Sequence, residues 1–218
     1  MIISHKYKFI WFFPIGHTAS TSLFLSLRHL YDDTDYRVGT GFVGGTPTSD
    51  SEDCGLHTAS RVLHKHITPI ELLDNGFDKK KFDEYRKIAV CRNPYTWMAA
   101  MSRKNMSIET YSAPLLSKFW RSRWITETNH AHGQYALLTH VDKIIHFEKL
   151  ESEWEVFKTE FGINPWLPLR RIVKPHEHNR IDYIENYTRG GFQFVNEVCA
   201  QDFELLEYTK RSEDDILL

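Results

Sequence analysis

Phe9–Ile10–Trp11–Phe12–Phe13–Pro14–Ile15–Gly16–His17–Thr18–Ala19–Ser20–Thr21–Ser22, followed at once by Leu23–Phe24–Leu25–Ser26–Leu27, decides how this chain folds. The run of large apolar residues from Phe9 to Phe13 predicts a strand covered on both faces. Pro14, Gly16 and a cluster of small hydroxyl residues then predict a turn. Leu23, Leu27 and Leu30 recur at helical spacing, so a helix is expected from about Ser22 to Tyr31. Strand, small-residue turn and helix together make a phosphate cradle. Small side chains let backbone N–H groups approach an anion, and the helix N-terminus adds partial positive charge. The plainer reading is that Ser20–Thr21–Ser22 only cap a helix. The nucleoside-triphosphate pattern G-x-x-x-x-G-K-[ST] is not met: no Gly follows Gly16 five residues on, and no Lys precedes Thr21 or Ser22.

Working outward, 218 residues suffice for a sizeable core, and the net charge of −2 argues against a dedicated nucleic-acid binder. Three cysteines (Cys54, Cys91, Cys199) cannot all pair, and none has metal-ligand spacing, which fits reducing conditions. The first apolar run is too short for a membrane span and has no cleavage site after it. Twelve histidines include two i,i+2 pairs, His64/His66 and His176/His178, with no matching carboxylate or cysteine set for a metal.

Val38 to Gly55 holds five glycines with Thr, Ser, Asp and Pro and reads as a long irregular loop. Arg61 to Ile67 reads as a short strand with His64 and His66 near its C-terminal end, the sheet edge where α/β proteins bind ligands. They read equally as ordinary core or surface histidines. Thr68–Pro69–Ile70–Glu71 has the form of a helix start, with Thr as N-cap and Glu three residues on. Lys79–Lys80–Lys81 reads as a solvated turn. Lys87 to Cys91 is a further apolar strand, and Arg92–Asn93–Pro94 follows it, placing an Arg at a strand tip beside a helix start. Phe119, Trp120 and Trp124 are expected to face a core. Lys143 to Glu148 reads as a strand and Leu150 to Phe161 as a helix ended by Gly162 and Pro165. Ile181 to Tyr208 reads as helical, interrupted at Gly190–Gly191, and residues 212–218 as a frayed tail. Strands alternating with helices predict one α/β domain over residues 1–218, with a mainly parallel sheet flanked by helices, of P-loop-like type.

In order along the chain, these motifs resemble those of sulfotransferases that use 3′-phosphoadenosine 5′-phosphosulfate (PAPS), and more narrowly the carbohydrate, uronyl 2-O-like branch. Pro14 to Ser22 is similar to that family's P-K-T-G-G-T-S loop, which holds the 5′-phosphosulfate. Ala89 to Tyr95 is similar to its V-x-R-N-P-Y stretch, whose Arg binds the 3′-phosphate. Asn129–His130 with Gln134–Tyr135, Asp142 to Glu148, and Asp202–Phe203–Glu204–Leu205 with Tyr208 continue the likeness. The resemblance implies PAPS as donor, adenosine 3′,5′-bisphosphate (PAP) as product, no metal, and a hydroxyl of a glycan or other small molecule as acceptor. It implies Gly16, His17, Thr18, Ala19, Ser20, Thr21, Ser22, Arg92 and Ser102 as donor ligands. Three positions depart from the family. His17 stands where it has Lys, Ala100 where it has a 3′-phosphate Ser (Ser102 lies nearby, out of register), and Trp97 where a base is common.

That family's H-x-H pair precedes the Arg strand, as His64–Lys65–His66 does here. The resemblance therefore implies His66 as general base with His64 beside it, Glu71 and His57 remaining as alternatives. With His17 required as imidazolium and His66 as neutral imidazole, activity is expected to fall on both sides of an optimum near or below neutrality. The lack of the membrane anchor found in Golgi members implies a soluble, cytoplasmic protein with neither nucleic-acid nor membrane partners. Two other functions fit the residues: a non-catalytic nucleotide-binding protein of the same fold, and a P-loop kinase or hydrolase.

Overall fold

Met1 to Trp11 is apolar at both ends and polar in the middle, and it folds back on itself. β1 (Ile2–Ser4) and β2 (Phe9–Trp11) pair antiparallel, with Ile3 opposite Ile10. The structure is a computed structural model, and it describes residues 1–27, 30, 36–37, 42–43, 46–47, 66–106, 110–121, 133–170 and 183–211. β3 (Tyr36–Arg37) pairs antiparallel with β1, while β4 (Phe42–Val43) and β5 (Thr46–Pro47) form a separate antiparallel pair. β6 (Arg86–Cys91) runs parallel to β2, with Trp11 opposite Ile88, and β7 (Lys143–His146) completes a sheet of order β3-β1-β2-β6-β7.

The α/β class expected from the alternation of strands and helices is borne out. Parallel pairing joins β2 to β6, the two strands that precede the cradle stretch and Arg92, whereas the N-terminal edge is antiparallel. A four-residue turn, residues 5–8, is too short for a crossover, so β1 and β2 can only form a hairpin. Within the stretch read as an irregular loop, the described residues are those of the β4–β5 pair; the rest lies outside the described residues, as do 212–218.

The described residues group into two compact units, each made of two segments: Met1–Val90 with Leu138–Ile172, and Cys91–Leu137 with Val173–Leu218. In the first, alternate residues Phe9, Trp11 and Phe13 meet Leu23 and Leu27 of α1 (Ser20–Leu27), placing that helix on one sheet face. α2 (Pro69–Asp74) begins with the expected capping box: Glu71 N–H donates to Thr68 Oγ1 at 3.2 Å, and Thr68 N–H donates to Glu71 Oε2 at 2.7 Å. The Lys79–Lys80–Lys81 run is not a turn but the first turn of α3 (Lys79–Glu84), capped by Asp78 and kept exposed. Asp78 explains the difference: its carboxylate accepts from Lys81 N–H at 2.8 Å, and the three cations stay hydrated.

The second unit begins where β6 ends. Asn93 accepts from Tyr95 N–H at 3.0 Å and Pro94 opens α4 (Pro94–Met106), as the Arg–Asn–Pro order predicts. α5 (Ala113–Trp120) buries Phe119 and brings Trp120 edge-on to buried Trp97; Trp124 lies outside the described residues. Back in the first unit, α6 (Leu150–Glu160) sets Trp154 and Phe157 against Trp11, and Gly162 follows with φ of 62°. It ends one residue short of the expected Phe161, and β7 stops at His146 because Phe147–Lys149 turn as a 3-10 helix.

In the second unit, α7 (Arg189–Val198) and α8 (Ala200–Leu205) close the described chain. Gly190–Gly191 does not interrupt a helix, since α7 begins at Arg189 under a Thr188 cap. The glycines mark close packing instead: a Cβ on Gly191 would lie 1.8 Å from Tyr111 O. Tyr95, Tyr187, Phe192 and Phe203 form the aromatic centre there, and Tyr187 donates to Tyr95 O at 2.7 Å. No helix among the described residues is long and apolar enough to cross a membrane.

Candidate functional site

The chain leaves β2 through Phe12, Phe13 and Pro14 and turns over Ile15–Gly16–His17–Thr18–Ala19 into α1. His17 and Ala19 have φ of 63° and 58°, while Thr18 between them does not have positive φ. Backbone in which left-handed residues alternate with right-handed ones is the kind that turns successive N–H groups toward one side, where an anion is accepted. Non-glycine residues adopt this conformation at a cost, so two within three residues mark a backbone held by its surroundings. Thr18 supplies part of the hold: it is buried, and its hydroxyl donates to Ile15 O at 2.8 Å. Its side chain therefore braces the turn. The first intrahelical bond of α1 runs from Leu23 N–H to Ala19 O at 3.0 Å. The amides of Ser20, Thr21 and Ser22 lie ahead of it, at the positive end of the helix. The helix starts two residues earlier than its apolar spacing suggests, because the hydroxyl residues form its first turn.

His66 belongs to this loop. It sits in a turn before α2, not in a strand, and its Nδ1 lies 2.7 Å from Phe13 O. A carbonyl oxygen only accepts, so Nδ1 carries the proton, and Nε2 carries the lone pair when the ring is neutral. The bond ties the ring to the backbone three residues before Gly16. Glu71 is engaged otherwise: its Oε2 accepts from both the N–H and the hydroxyl of Thr68, which explains it as a cap. His64 and His57, together with His176 and His178, lie outside the described residues, and so does most of the strand expected at Arg61 to Ile67.

In the second unit, Arg92 follows the last residue of β6. Its Nε donates to Thr96 Oγ1 at 3.1 Å, and its backbone N–H and C=O pair with the side-chain amide of Gln134. Gln134 is fully buried, and Asp202 accepts from its N–H at 2.9 Å and from Tyr135 N–H at 2.8 Å. Burial pushes the Asp202 carboxyl above its ordinary value, against the two amides that favour its ionised form. Cys91 Sγ and Tyr208 Oη meet at 3.4 Å in the same unit. Gln134–Tyr135, the Asp202 segment and Tyr208, distant in sequence, thus gather around the end of β6. The sequence placed them in the likeness but assigned them no role, because neither Gln134 nor Asp202 stands out among its polar neighbours.

Two other candidates have structural surroundings. Ser102 is fully buried and its hydroxyl donates to Ala99 O at 3.2 Å, an intrahelical bond that leaves it inside the packing of α4. Ala100 and Trp97 are buried on the same helix. No group of His, Cys, Asp and Glu able to hold a metal occurs among the described residues. No family model, curated protein or solved structure matches the chain.

Proposed function

We infer that the chain is a sulfotransferase that binds PAPS and transfers its sulfuryl group to a hydroxyl of a glycan or other small acceptor. The observation that carries this reading is the turn between β2 and α1. Its alternating backbone fits a phosphate, and a histidine with its basic nitrogen defined is hydrogen-bonded at its entrance. An ATP-type reading lacks the loop Lys.

The donor supplies an activated sulfuryl group and leaves as PAP. On this reading the amides from Gly16 to Ser22 hold the 5′ end by the turn and the α1 N-terminus. The family resemblance gives Arg92 as the ligand of the 3′-phosphate, and Thr96 Oγ1 accepts from its Nε. His66 Nε2 takes the proton of the acceptor hydroxyl, and the Phe13 carbonyl stabilises the imidazolium that results by keeping the Nδ1 proton. His17, as imidazolium, supplies the charge that Lys provides in the family. Sulfuryl transfer, like phosphoryl transfer, needs mainly such positioning and charge stabilisation. With Ala100 and a buried Ser102 the hydroxyl ligand of the 3′-phosphate is missing, which favours a non-catalytic nucleotide-binding protein as the second reading.

Turnover separates the two. PAP release from PAPS is followed with a panel of sugar acceptors, for the unsubstituted protein and His66→Ala. Acceptor-dependent release that His66→Ala lowers at least a hundredfold, with PAP binding kept, supports catalysis. Binding without release for any acceptor supports the second reading.

A further inference from the structure

Arg92 is the first residue beyond β6, where its N–H and C=O need partners outside the strand. One side chain supplies both. Arg92 N–H donates to Gln134 Oε1 at 2.9 Å, and Gln134 Nε2 donates to Arg92 O at 2.6 Å. This is the donor–acceptor pair that a residue of a neighbouring strand would present. Gln134 is in turn held by Asp202, whose carboxylate accepts from the backbone N–H of Gln134 and of Tyr135. Gly133, with φ of 81°, lets that carboxylate close in: a Cβ there would lie 2.7 Å from Asp202 Oδ1.

We propose that Gln134 is a positioning residue that substitutes for a strand at Arg92, fixes its backbone and so aims its guanidinium, with Asp202 anchoring Gln134. The inference rests on the reading of Arg92 as ligand of the 3′-phosphate. With the backbone clasped at one end and Nε bonded to Thr96 at the other, the arginine is ordered before a phosphate arrives. A long side chain ordered in advance loses less freedom on binding, and its Nη1/Nη2 fork meets a phosphate in one geometry. Gln134 thereby favours nucleotides that carry a 3′-phosphate without touching them.

A buried glutamine that only stabilised the fold would act on every ligand alike. The test therefore compares adenosine 3′,5′-bisphosphate with adenosine 5′-monophosphate by calorimetric titration. The proteins are the unsubstituted chain, Gln134→Leu, Gln134→Glu, Arg92→Ala and the Gln134→Glu/Arg92→Ala double variant. Gln134→Glu is nearly isosteric, exchanges the donor to Arg92 O for an acceptor oxygen and adds a carboxylate, whose direct effect on a phosphate the double variant isolates, so it serves where Gln134→Leu does not fold. The expected result is a bisphosphate-to-monophosphate affinity ratio lowered about tenfold in both Gln134 variants, the equivalent of about one hydrogen bond. Monophosphate affinity stays unchanged, and the double variant shows no further fall below Arg92→Ala. An unchanged ratio, or equal losses for both nucleotides, overturns the positioning role and leaves the donor reading standing. No preference for the 3′-phosphate in the unsubstituted protein overturns both.

Discussion

Replacing Ala19 by Gly should stabilise the protein slightly, although glycine at a helix start ordinarily weakens it. Ala19 sits at φ of 58°, where a side chain costs about 1–2 kcal/mol that Gly does not incur. Against that gain, Gly frees the unfolded chain by about 0.4–1 kcal/mol. Removing the partly buried methyl, which packs on the sheet-face core, loses about 0.4 kcal/mol more. The central sum is a gain of about 0.4 kcal/mol, or a melting temperature higher by about 1–2 °C for a chain of this size. Were the residue right-handed, only the two losses would remain. The variant would then be about 1 kcal/mol less stable and melt about 2–4 °C lower. Urea unfolding of both proteins, with equal slopes confirming the same transition, decides the sign. A loss near 1 kcal/mol would refute the left-handed turn, and with it the argument that the turn directs its amides at an anion.

The packing of the second unit makes a sharper contrast between neighbouring glycines. Gly191→Ala should cost about 3 kcal/mol in urea unfolding, because its Cβ meets a backbone oxygen, whereas Gly190→Ala meets only Ala113 Cβ at 3.5 Å and should be tolerated. Asp202, whose folded pKa is raised, binds its proton more tightly folded than unfolded. Its contribution to stability is therefore greatest below the ordinary value of 3.8 and declines as pH rises through the folded pKa. Asp202→Asn should flatten that part of a stability–pH curve measured by denaturant titration; an unaltered slope would contradict the assignment. Where PAPS turnover is measured, His17→Lys should extend activity to higher pH, because an ammonium keeps its charge where an imidazolium loses it. An unchanged alkaline limb would remove His17 from the charge-stabilising role.

Strong local signals were legible in the sequence. The Thr68–Glu71 box and the Arg92–Asn93–Pro94 junction each specify local structure by side chains a few residues apart and form as expected, and the five-residue apolar run after Lys8 forms a strand over Phe9–Trp11, two residues shorter than the run. What the sequence concealed depends on contacts distant along the chain. Gly190–Gly191 looks like a helix breaker until Tyr111 O is seen against it. Periodicity does not reveal that β1 and β2 are antiparallel, since both are buried on both faces. At the site, the small-residue turn was visible, but its handedness was not: His17 and Ala19 are residues that rarely adopt positive φ. The bond from His66 to Phe13 O spans 53 residues and the clasp from Gln134 to Arg92 spans 42, separations at which no local pattern operates.

The most direct test of the account is calorimetric titration with adenosine 3′,5′-bisphosphate beside ATP with magnesium, on the unsubstituted protein and Arg92→Ala. The account predicts that the bisphosphate binds with or without magnesium, that ATP binds more weakly, and that Arg92→Ala lowers bisphosphate affinity at least tenfold, as loss of a charge-assisted contact should. Absence of bisphosphate binding, or ATP binding that requires magnesium, would contradict it.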